Sequence, residues 1–171
     1  KTLLREHYRC HPKIIEFCNQ KFYNGELLIM TKDHGEEDVL KAVITTPGNH
    51  ARNHHNQRQI DEIVETILPE LASNNLGIIA PYNEQTAALR KEIAGVDIST
   101  VHKFQGREKD DIIISTVDNV ISEFTDDPQI LNVAVSRAKS RLRVVISDNE
   151  LNERTNIGDL IRYIQHENGE V

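Results

Sequence analysis

Several residue types are scarce in this chain. Its 171 residues include no tryptophan, two cysteines and one methionine, and aromatic side chains make up only 5% of it. The two cysteines, Cys10 and Cys18, provide no disulfide framework, which suits a reducing compartment and predicts a cytoplasmic protein, or a nuclear one in a eukaryote. No apolar run approaches the roughly 20 residues that span a bilayer, and the start "KTLLREHYRC" is not a secretory signal. We therefore expect no membrane partner.

A net positive charge is missing as well. The formal net charge is −7 and the sequence pI is about 5.6. This balance excludes a protein that holds polyanions through a global basic field, so any contact with nucleic acid has to be local. The apolar share of 38% and the charged share of 27% fit an ordinary globular protein. We treat residues 1–171 as a single domain, and we expect a fragment of a longer protein because the chain starts without methionine and runs at once into a dense motif.

Helical stripes alternate with short aliphatic runs along the chain. Helices are predicted over "HPKIIEFCNQKF", over Gln57–Leu71 with Pro69 disturbing the last turn, over "NEQTAALRKEIAG" between a cap at Asn83 and a stop at Gly95, over "DDPQILNVAVSRAKS" with Asp127 as cap, and around Ile157 to Ile164. Strands are predicted for "LGIIAPY", "VDISTV", "DDIIIST" and "RLRVVIS". The stretches "TKDHGEED" and "TTPGNHARNHHNQ" are predicted surface loops.

This alternation, with strands that are mostly aliphatic, predicts an α/β fold in three layers around a mostly parallel sheet. Ligands of such sheets bind beyond the carboxyl ends of the strands. The dense polar run after Val101 follows the strand "VDISTV", so we expect it at such an end.

Three polar segments carry candidate chemistry. "HYRCHP" places an aromatic residue, an arginine and two histidines directly before a helix, and "TVHKFQGREKDD" follows a strand. In "LNVAVSRAKS" we expect Arg137 and Lys139 on a helix among aliphatic neighbours. A guanidinium group in such apolar surroundings is rarely just a solvated charge.

These segments resemble the second RecA-like motor domain of superfamily 1 helicases, in the branch of the nonsense-mediated mRNA decay helicase. "YRCHP" is similar to the Tyr-Arg-Met-His-Pro element of that branch, "IIAPYNEQ" to motif IV, "STVHKFQGREKD" to motif V and "LNVAVSRAKSR" to motif VI. The four elements occur in the family's order, from Tyr8 to Arg141. The resemblance implies a RecA-like fold and a motor that uses ATP and Mg²⁺ on single-stranded DNA or RNA.

For the nucleotide, the resemblance implies roles at six positions. Arg9 and Arg137 match the two arginines that reach the γ-phosphate, where a planar and permanently charged fork stabilises the charge that develops during phosphoryl transfer. Tyr8 matches the aromatic side chain that stacks on adenine. Gly106 and Glu108 match the motif V positions near the phosphates and ribose, and Gln105 matches the residue that links the nucleotide side of motif V to its nucleic-acid side.

For the nucleic acid, the resemblance implies contacts from the other ends of the same elements. The matching residues are Pro81 and Tyr82 in motif IV and Thr100, Val101, His102 and Lys103 in motif V. Polar donors there would hold phosphate oxygens without reading bases, as a motor that moves over any sequence requires.

Some family features are absent or altered. No GxxxxGK[ST] segment occurs, so the cradle for the phosphates and the hydroxyl for Mg²⁺ are missing, and we expect both ligands to bind mainly on a preceding P-loop motor domain in cis. The chain alone is therefore expected not to hydrolyse ATP. His7 stands where the family usually has glutamine, Cys10 replaces methionine, and Lys139 occupies a position where a second arginine is common.

Simpler interpretations of the same residues stay open. In these interpretations Arg9 and Arg137 form structural ion pairs, Tyr8 packs on the core, Gly106 with Glu108 forms a plain turn, and Lys103 and Arg107 are solvated charges. Neither His7, Cys10 and His11 nor His50, His54 and His55 complete a four-ligand zinc pattern, so we predict no metal site of the protein's own. Two other functions are conceivable: a nucleic-acid-binding module without catalysis, and a metal-dependent nuclease that uses histidines with Asp110 and Asp111.

Overall fold

The computed structural model describes residues 5–46, 51–104, 106–147 and 154–167. Its strands are β1 (Arg5–His7), β2 (Leu27–Ile29), β3 (Leu40–Ile44), β4 (Ala51–Arg52), β5 (His55–Asn56), β6 (Leu76–Ile79), β7 (Asp97–Ser99), β8 (Lys109–Ser115) and β9 (Ala138–Ile146). Its α-helices are α1 (Pro12–Phe22), α2 (Gln57–Glu62), α3 (Leu68–Leu71), α4 (Asn83–Glu92), α5 (Val101–Phe104), α6 (Pro128–Ser136) and α7 (Asn156–His166).

The centre of the fold is a five-stranded sheet in the order β3-β9-β8-β6-β7, and each of its strand pairs is parallel. The predicted α/β class with a parallel sheet is thus confirmed, and all four predicted strands belong to this sheet. Sequence analysis had not identified its edge strand β3, or the small parallel pair of β1 and β2. The predicted loop around residues 51–56 contains the antiparallel hairpin of β4 and β5.

Side chains of the central strands alternate between two apolar cores. On β8, Ile112 and Ile114 belong to the core that includes α1, α6 and α7, whereas Ile113 belongs to the core that includes α2, α3 and α4. The strand β9 repeats the pattern, because Val144 faces the first core and Val145 the second. Helices on both faces explain why these strands are aliphatic on both sides, and the chain has the expected three layers.

Local capping explains where the main helices begin. Pro12 occupies the first turn of α1, and the His11 side chain accepts a hydrogen bond from Lys13 N (3.1 Å). The helix α6 begins after Asp127, whose side chain accepts from Gln129 N and Ile130 N, as predicted. The helix α4 differs from the prediction, because Tyr82 rather than Asn83 is its N-cap and it ends at Glu92.

A π-helical turn, Ile63–Ile67, separates α2 from α3. Within it the N–H of Leu68 donates to the carbonyl of Ile63, one residue further back than in an α-helix. Pro69 follows directly, lacks an N–H and crowds the carbonyl four residues earlier, so the wider turn accommodates it. The predicted disturbance at Pro69 is therefore present as a local widening of an otherwise continuous helix.

None of the helices in the described ranges is both long enough and apolar enough to cross a bilayer.

Candidate functional site

The amino edge of the sheet, where β8 and β9 begin, gathers residues from three distant parts of the chain. Arg9 Nη1 lies 2.7 Å from Glu108 Oε1, immediately before β8. Arg137 occupies the single position between α6 and β9. We call Arg9, Glu108 and Arg137 the amino-edge cluster. It unites both predicted phosphate-binding arginines with the predicted ribose carboxylate.

Three hydrogen bonds to backbone carbonyls fix this cluster. Lys109 N donates to Arg137 O (3.1 Å), and His11 N donates to Lys139 O (2.8 Å). The thiol of Cys10 donates to Ser136 O (3.2 Å). These three bonds hold the "YRCHP" segment and the start of β8 against the turn between α6 and β9. Because α6 ends at Ser136, Lys139 lies on a strand, and the prediction that it is helical was wrong.

Arg137 differs from Arg9 in its surroundings. Among the described residues, no carboxylate lies within salt-bridge distance of its guanidinium, and its buried Nε has no hydrogen-bond partner. Burial and the neighbouring Arg9 cation lower the pKa of Arg137, while Glu108 opposes them. The ion-pair interpretation thus describes Arg9, whose partner is half-exposed Glu108, and does not describe Arg137. A partly buried guanidinium with an unpaired donor is suited to bind an anion.

His7 and Cys10, which differ from the residues usual in the family and lie beside the cluster, are accommodated by local hydrogen bonds and burial. His7 Nε2 accepts a hydrogen bond from Cys10 N (2.9 Å), which requires that nitrogen to be unprotonated. Burial, with a further contribution from Arg9, lowers the pKa of His7, so the ring stays neutral near pH 7. Burial also raises the pKa of the Cys10 thiol to about 11, so this cysteine is an inert packing residue.

The other predicted nucleotide residues lie close by in the chain. The Tyr8 ring is 64% exposed and its hydroxyl donates to Glu6, so it does not pack on the core. This hydrogen bond raises the pKa of Tyr8. Gly106 adopts φ +79° with open space where a Cβ would be, which is the geometry of a left-handed turn. Gln105 lies outside the described residues.

The polar run that contains Gly106 connects opposite edges of the sheet. It leaves the carboxyl end of β7 at Ser99, forms the single turn α5, and reaches the amino end of β8 at Lys109. The expectation that the whole run lies at the carboxyl edge is therefore wrong. Consecutive parallel strands must be joined by a crossover, so Thr100 to Lys103 lie at one edge and Glu108 at the other.

A close packing contact holds this crossover on the sheet. The Phe104 ring is fully buried over β6, and a Cβ added to Gly77 would lie 2.4 Å from Phe104 Cζ. Only glycine leaves room for the ring at this position. On its other side, the guanidinium carbon of Arg107 lies 4.9 Å from the ring centroid, and Arg107 Nη1 pairs with Asp97 (2.8 Å). Arg107 is thus a structural residue of the crossover.

The predicted nucleic-acid residues follow β6 and β7 at the carboxyl edge. His102 and Lys103 are exposed on α5, and Pro81, Tyr82 and Thr100 are half-buried. Val101 is the exception, because its side chain is 7% exposed and belongs to the core beneath α5. Its backbone, but not its side chain, is therefore the part that lies near this surface.

Beneath the carboxyl edge is a buried polar network that sequence analysis missed. Its members, all at most 1% exposed, are Asn56, Gln59, Gln85, Ser115, Thr116 and Ser147. Gln59 Oε1 accepts from Ser115 Oγ (2.7 Å) and Val117 N (3.0 Å), and Gln59 Nε2 donates to Ser147 Oγ (2.8 Å). Gln85 Oε1 accepts from Asn56 N (2.9 Å). We call this set the carboxyl-edge network.

The carboxyl-edge network holds one strained residue. Val117 is fully buried at φ +68°, a region that a β-branched residue rarely adopts. Its N–H is bonded to Gln59 and its carbonyl accepts from Asn56 Nδ2 (2.8 Å). The next residue, Asp118, accepts from the Tyr82 hydroxyl (3.0 Å) and from Thr125 Oγ1 (2.6 Å). The strained residue thus directly precedes the carboxylate that accepts from Tyr82.

A sequence signal existed for part of this network. Asn56 immediately precedes the stripe that begins at Ile60, and its side chain accepts from Gln59 N (3.2 Å), as a helix cap does. No local pattern marks Gln59, Gln85 and Ser115 as mutual partners, because they come from α2, α4 and β8.

The nuclease alternative does not fit the geometry. Both oxygens of Asp111 are engaged by Arg141, at 2.7 Å to Nε and 2.9 Å to Nη2, and Asp111 is 3% exposed. Its carboxylate is therefore not free to bind a metal ion or to activate water. His50 of the second histidine group lies outside the described residues.

His11 faces two carboxylates, and this group has the spacing of possible metal ligands. Its Nε2 is 3.5 Å from oxygens of Asp33 and of Glu36. Because Nδ1 accepts from Lys13 N, the ring proton is on Nε2. Nε2 then carries a proton, makes no hydrogen bond among the described residues, and has no lone pair for a metal ion.

Comparison with known proteins places these observations in a family. Residues 28–149 match a family model described as "AAA domain". The chain is 30% identical over 161 residues to "Uncharacterized ATP-dependent helicase C05C10.2" of Caenorhabditis elegans, an alignment that covers 80% of this chain and 11% of that protein. It is 31% identical over 183 residues to "Helicase SEN1" of Saccharomyces cerevisiae, which covers 84% of this chain and 8% of that protein.

A third relative is the "Uncharacterized ATP-dependent helicase MJ0104" of Methanocaldococcus jannaschii, 27% identical over 192 residues, with 95% of this chain and 29% of that protein covered. The chain thus spans less than a third of each of these relatives. Among solved structures, the C-terminal domain of a possible DNA helicase from Lactobacillus plantarum has a TM-score of 0.57 at 19% identity, covering 82% of this chain and 88% of that one. This likeness confirms the RecA-like α/β fold.

Proposed function

The chain belongs to the AAA domain family and is a superfamily 1 helicase domain, and from that premise we propose that it is the C-terminal motor half of an ATP-dependent helicase or translocase. Its similarity to "Helicase SEN1" is consistent with the nonsense-mediated-decay branch. In this proposal a preceding P-loop domain binds ATP with Mg²⁺, and the amino-edge cluster completes that site.

The observation that carries the proposal is the composition of the amino-edge cluster. Two arginines more than a hundred residues apart meet at one corner, and Arg137 has a buried donor without a protein partner. Glu108 is ion-paired with Arg9 and offsets part of the repulsion between the two guanidinium groups, but Arg137 has no carboxylate partner among the described residues, so a further anion would complete the cluster. A triphosphate terminus supplies such an anion, and its negative charge increases toward the leaving oxygen as the bond breaks.

The remaining residues of the cluster fit subsidiary roles. Glu108 now holds Arg9 at 2.7 Å, and it would exchange this partner for a ribose hydroxyl when Arg9 turns to the phosphate. Tyr8 exposes most of its ring beside Arg9 and offers a flat surface for adenine. These movements are rotations of half-exposed side chains, so they require no change in the sheet.

The carboxyl edge fits single-stranded nucleic acid. Lys103 and His102 are exposed cationic or polar donors on α5, next to the surface formed by Pro81 and Tyr82. The crossover through α5 joins this surface to Glu108 along the chain. The overall charge of −7 opposes polyanions, and we expect weak binding that is sensitive to salt and indifferent to sequence.

The test is ATP turnover by the gene product that carries this chain, with and without a single-stranded oligonucleotide, beside the chain alone. We expect stimulated turnover by the gene product and none by the chain alone. A gene product that binds nucleotide and oligonucleotide but never hydrolyses ATP would instead indicate a non-catalytic binding module. Cleavage of the labelled oligonucleotide by the chain with a divalent metal would revive the nuclease interpretation.

A further inference from the structure

Three rings are stacked at the carboxyl edge, and two of them have no assigned role. The Tyr82 ring lies 4.0 Å from the His54 ring at an interplanar angle of 8° and 5.6 Å from the Phe124 ring at 27°. His54 is at the tip of the β4–β5 hairpin, and Phe124 is in the segment that follows β8. The stack therefore gathers three separate elements at one place.

The two partners of Tyr82 are accessible. The His54 side chain is 58% exposed, and Phe124 is 49% exposed. The chain has only four phenylalanines and four tyrosines. It is therefore unusual that one of these phenylalanines is half-exposed beside an imidazole and a phenol. The rings add little to the core, because the two apolar cores of the described residues are built without them.

The backbone beneath the rings is held in place. Asn53 and His54 both adopt positive φ, 52° and 58°, which is the conformation of a tight two-residue hairpin turn. Asn119 Oδ1 accepts from Ala51 N (2.9 Å) and Asn119 Nδ2 donates to Ala51 O (3.2 Å), so the hairpin is pinned to the segment that carries Phe124. A stack that is already ordered loses little conformational entropy when a ligand joins it.

Charge decides which part of a nucleic acid fits here. Glu84 lies 3.4 Å from His54 Nδ1, and Asp118 accepts from the Tyr82 hydroxyl. These two carboxylates repel phosphates, whereas exposed Lys103 lies on the neighbouring element α5. Flat uncharged groups are therefore favoured against the rings, with the phosphate backbone directed toward α5.

We propose that His54, Tyr82 and Phe124 form a platform on which bases of a single-stranded nucleic acid stack. Aromatic stacking serves every base, because each has a π face, so the platform strengthens binding without reading sequence. The inference rests on the proposed function, and it adds His54 and Phe124 as contacts to bases.

The test compares two fluorescently labelled oligonucleotides of about 12 nucleotides, one with bases and one wholly abasic with the same phosphates, titrated against the 171-residue chain at low salt. We expect the chain to bind the base-bearing strand about tenfold more tightly than the abasic one. In Phe124→Leu with His54→Ala the preference should fall to about threefold or less, because two of the three stacking rings are lost while Tyr82 and the phosphate contacts remain.

Val120→Ala is the matched control, since Val120 lies in the same segment and is 66% exposed. It should keep the tenfold preference, as should Phe124→Trp, and circular dichroism should show that every variant is folded.

Equal wild-type affinity for both strands would overturn the platform while leaving the proposed function intact, and a protein partner would then be sought for the rings. An undiminished tenfold preference in the double variant would also overturn it. No binding of either strand would overturn the proposed function itself.

Discussion

The two edges of the sheet use polar groups in opposite ways. At the carboxyl edge, the network around Gln59 is buried and its amide and hydroxyl groups are paired with one another. At the amino edge, Arg9 and Arg137 are half-exposed or partly buried, they repel each other, and the buried Nε of Arg137 has no partner among the described residues.

The two edges therefore differ in what completes their polar groups. The carboxyl edge is complete within the chain, and it even holds Val117 in a strained conformation. The amino edge places two like charges together and would be completed by an anion. A paired network gives rigidity to a surface that has to keep its shape, whereas unpaired charge is expected where a ligand arrives and leaves.

The largest expected effect is on catalysis at the amino edge. Arg137→Ala in the gene product should lower ATP turnover by roughly 10³, because the charge on the transferring phosphoryl group loses a guanidinium partner, while ATP affinity changes only a few fold. Steady-state ATPase kinetics and nucleotide titration measure the two quantities. Arg162→Ala, which removes an exposed arginine from α7, is the control and should leave turnover unchanged. Turnover within tenfold of wild type would remove Arg137 from the site.

The next effect is on folding at the carboxyl edge. Gln59→Leu keeps most of the volume but removes the Gln59 partner of Val117 N and of three buried hydroxyls, so the free energy of unfolding should fall by about 2–4 kcal/mol. Urea denaturation of the chain measures this change. Gln57→Leu alters an exposed residue of the same helix and should cost less than about 0.5 kcal/mol. Similar losses for the two variants would contradict the role given to the network.

A smaller effect concerns the packing of the crossover that runs between the two edges. Gly77→Ala forces the Phe104 ring away from β6, so the free energy of unfolding should fall by about 1–3 kcal/mol. The cost should be smaller in a Phe104→Leu background, because the clashing end of the ring is gone. A double-mutant cycle with urea measures this coupling. Additive losses would show that Gly77 and Phe104 act independently.

The smallest effect concerns His7. Its pKa is lowered in the folded protein from an ordinary value of 6.5, so below that value the unfolded chain binds the proton more readily than the folded one. Stability should therefore fall as pH decreases from about 7 to 5, and His7→Gln should flatten part of that decline. Denaturation midpoints of both proteins at the two ends of this range provide the comparison. An unchanged slope would show that His7 does not titrate with folding.

Local patterns in the sequence were sufficient for the longer helices and for the central strands, but not for the single turn α5. The apolar stripe from Ile60 to Leu71 and the run Ile112–Ile114 are strong sequence signals, because these apolar side chains are buried in the cores on the faces of the sheet. The edge strand β3 was missed because five residues that include Lys41 give a weak signal, and its identity depends on pairing with distant β9.

The candidate site could be proposed from the sequence as a set of residues but not as an arrangement. Four motifs in order singled out Arg9, Glu108, Arg137, Tyr82 and Lys103 as candidates, yet nothing in their spacing assigned them to opposite edges. That division follows from the crossover between parallel strands, which is a property of the sheet order. His54 and Phe124 carry no motif, and their proximity depends on the hairpin turn at Asn53 and on the pairing of Asn119.

The most direct test of this division of labour measures ATP turnover and oligonucleotide affinity on the same two variants, Arg137→Ala and Lys103→Ala, in the gene product. We expect opposite outcomes: Arg137→Ala loses turnover and keeps its affinity for the strand, whereas Lys103→Ala binds the strand more weakly and recovers turnover at saturating oligonucleotide. Equal losses of both activities in both variants would contradict it.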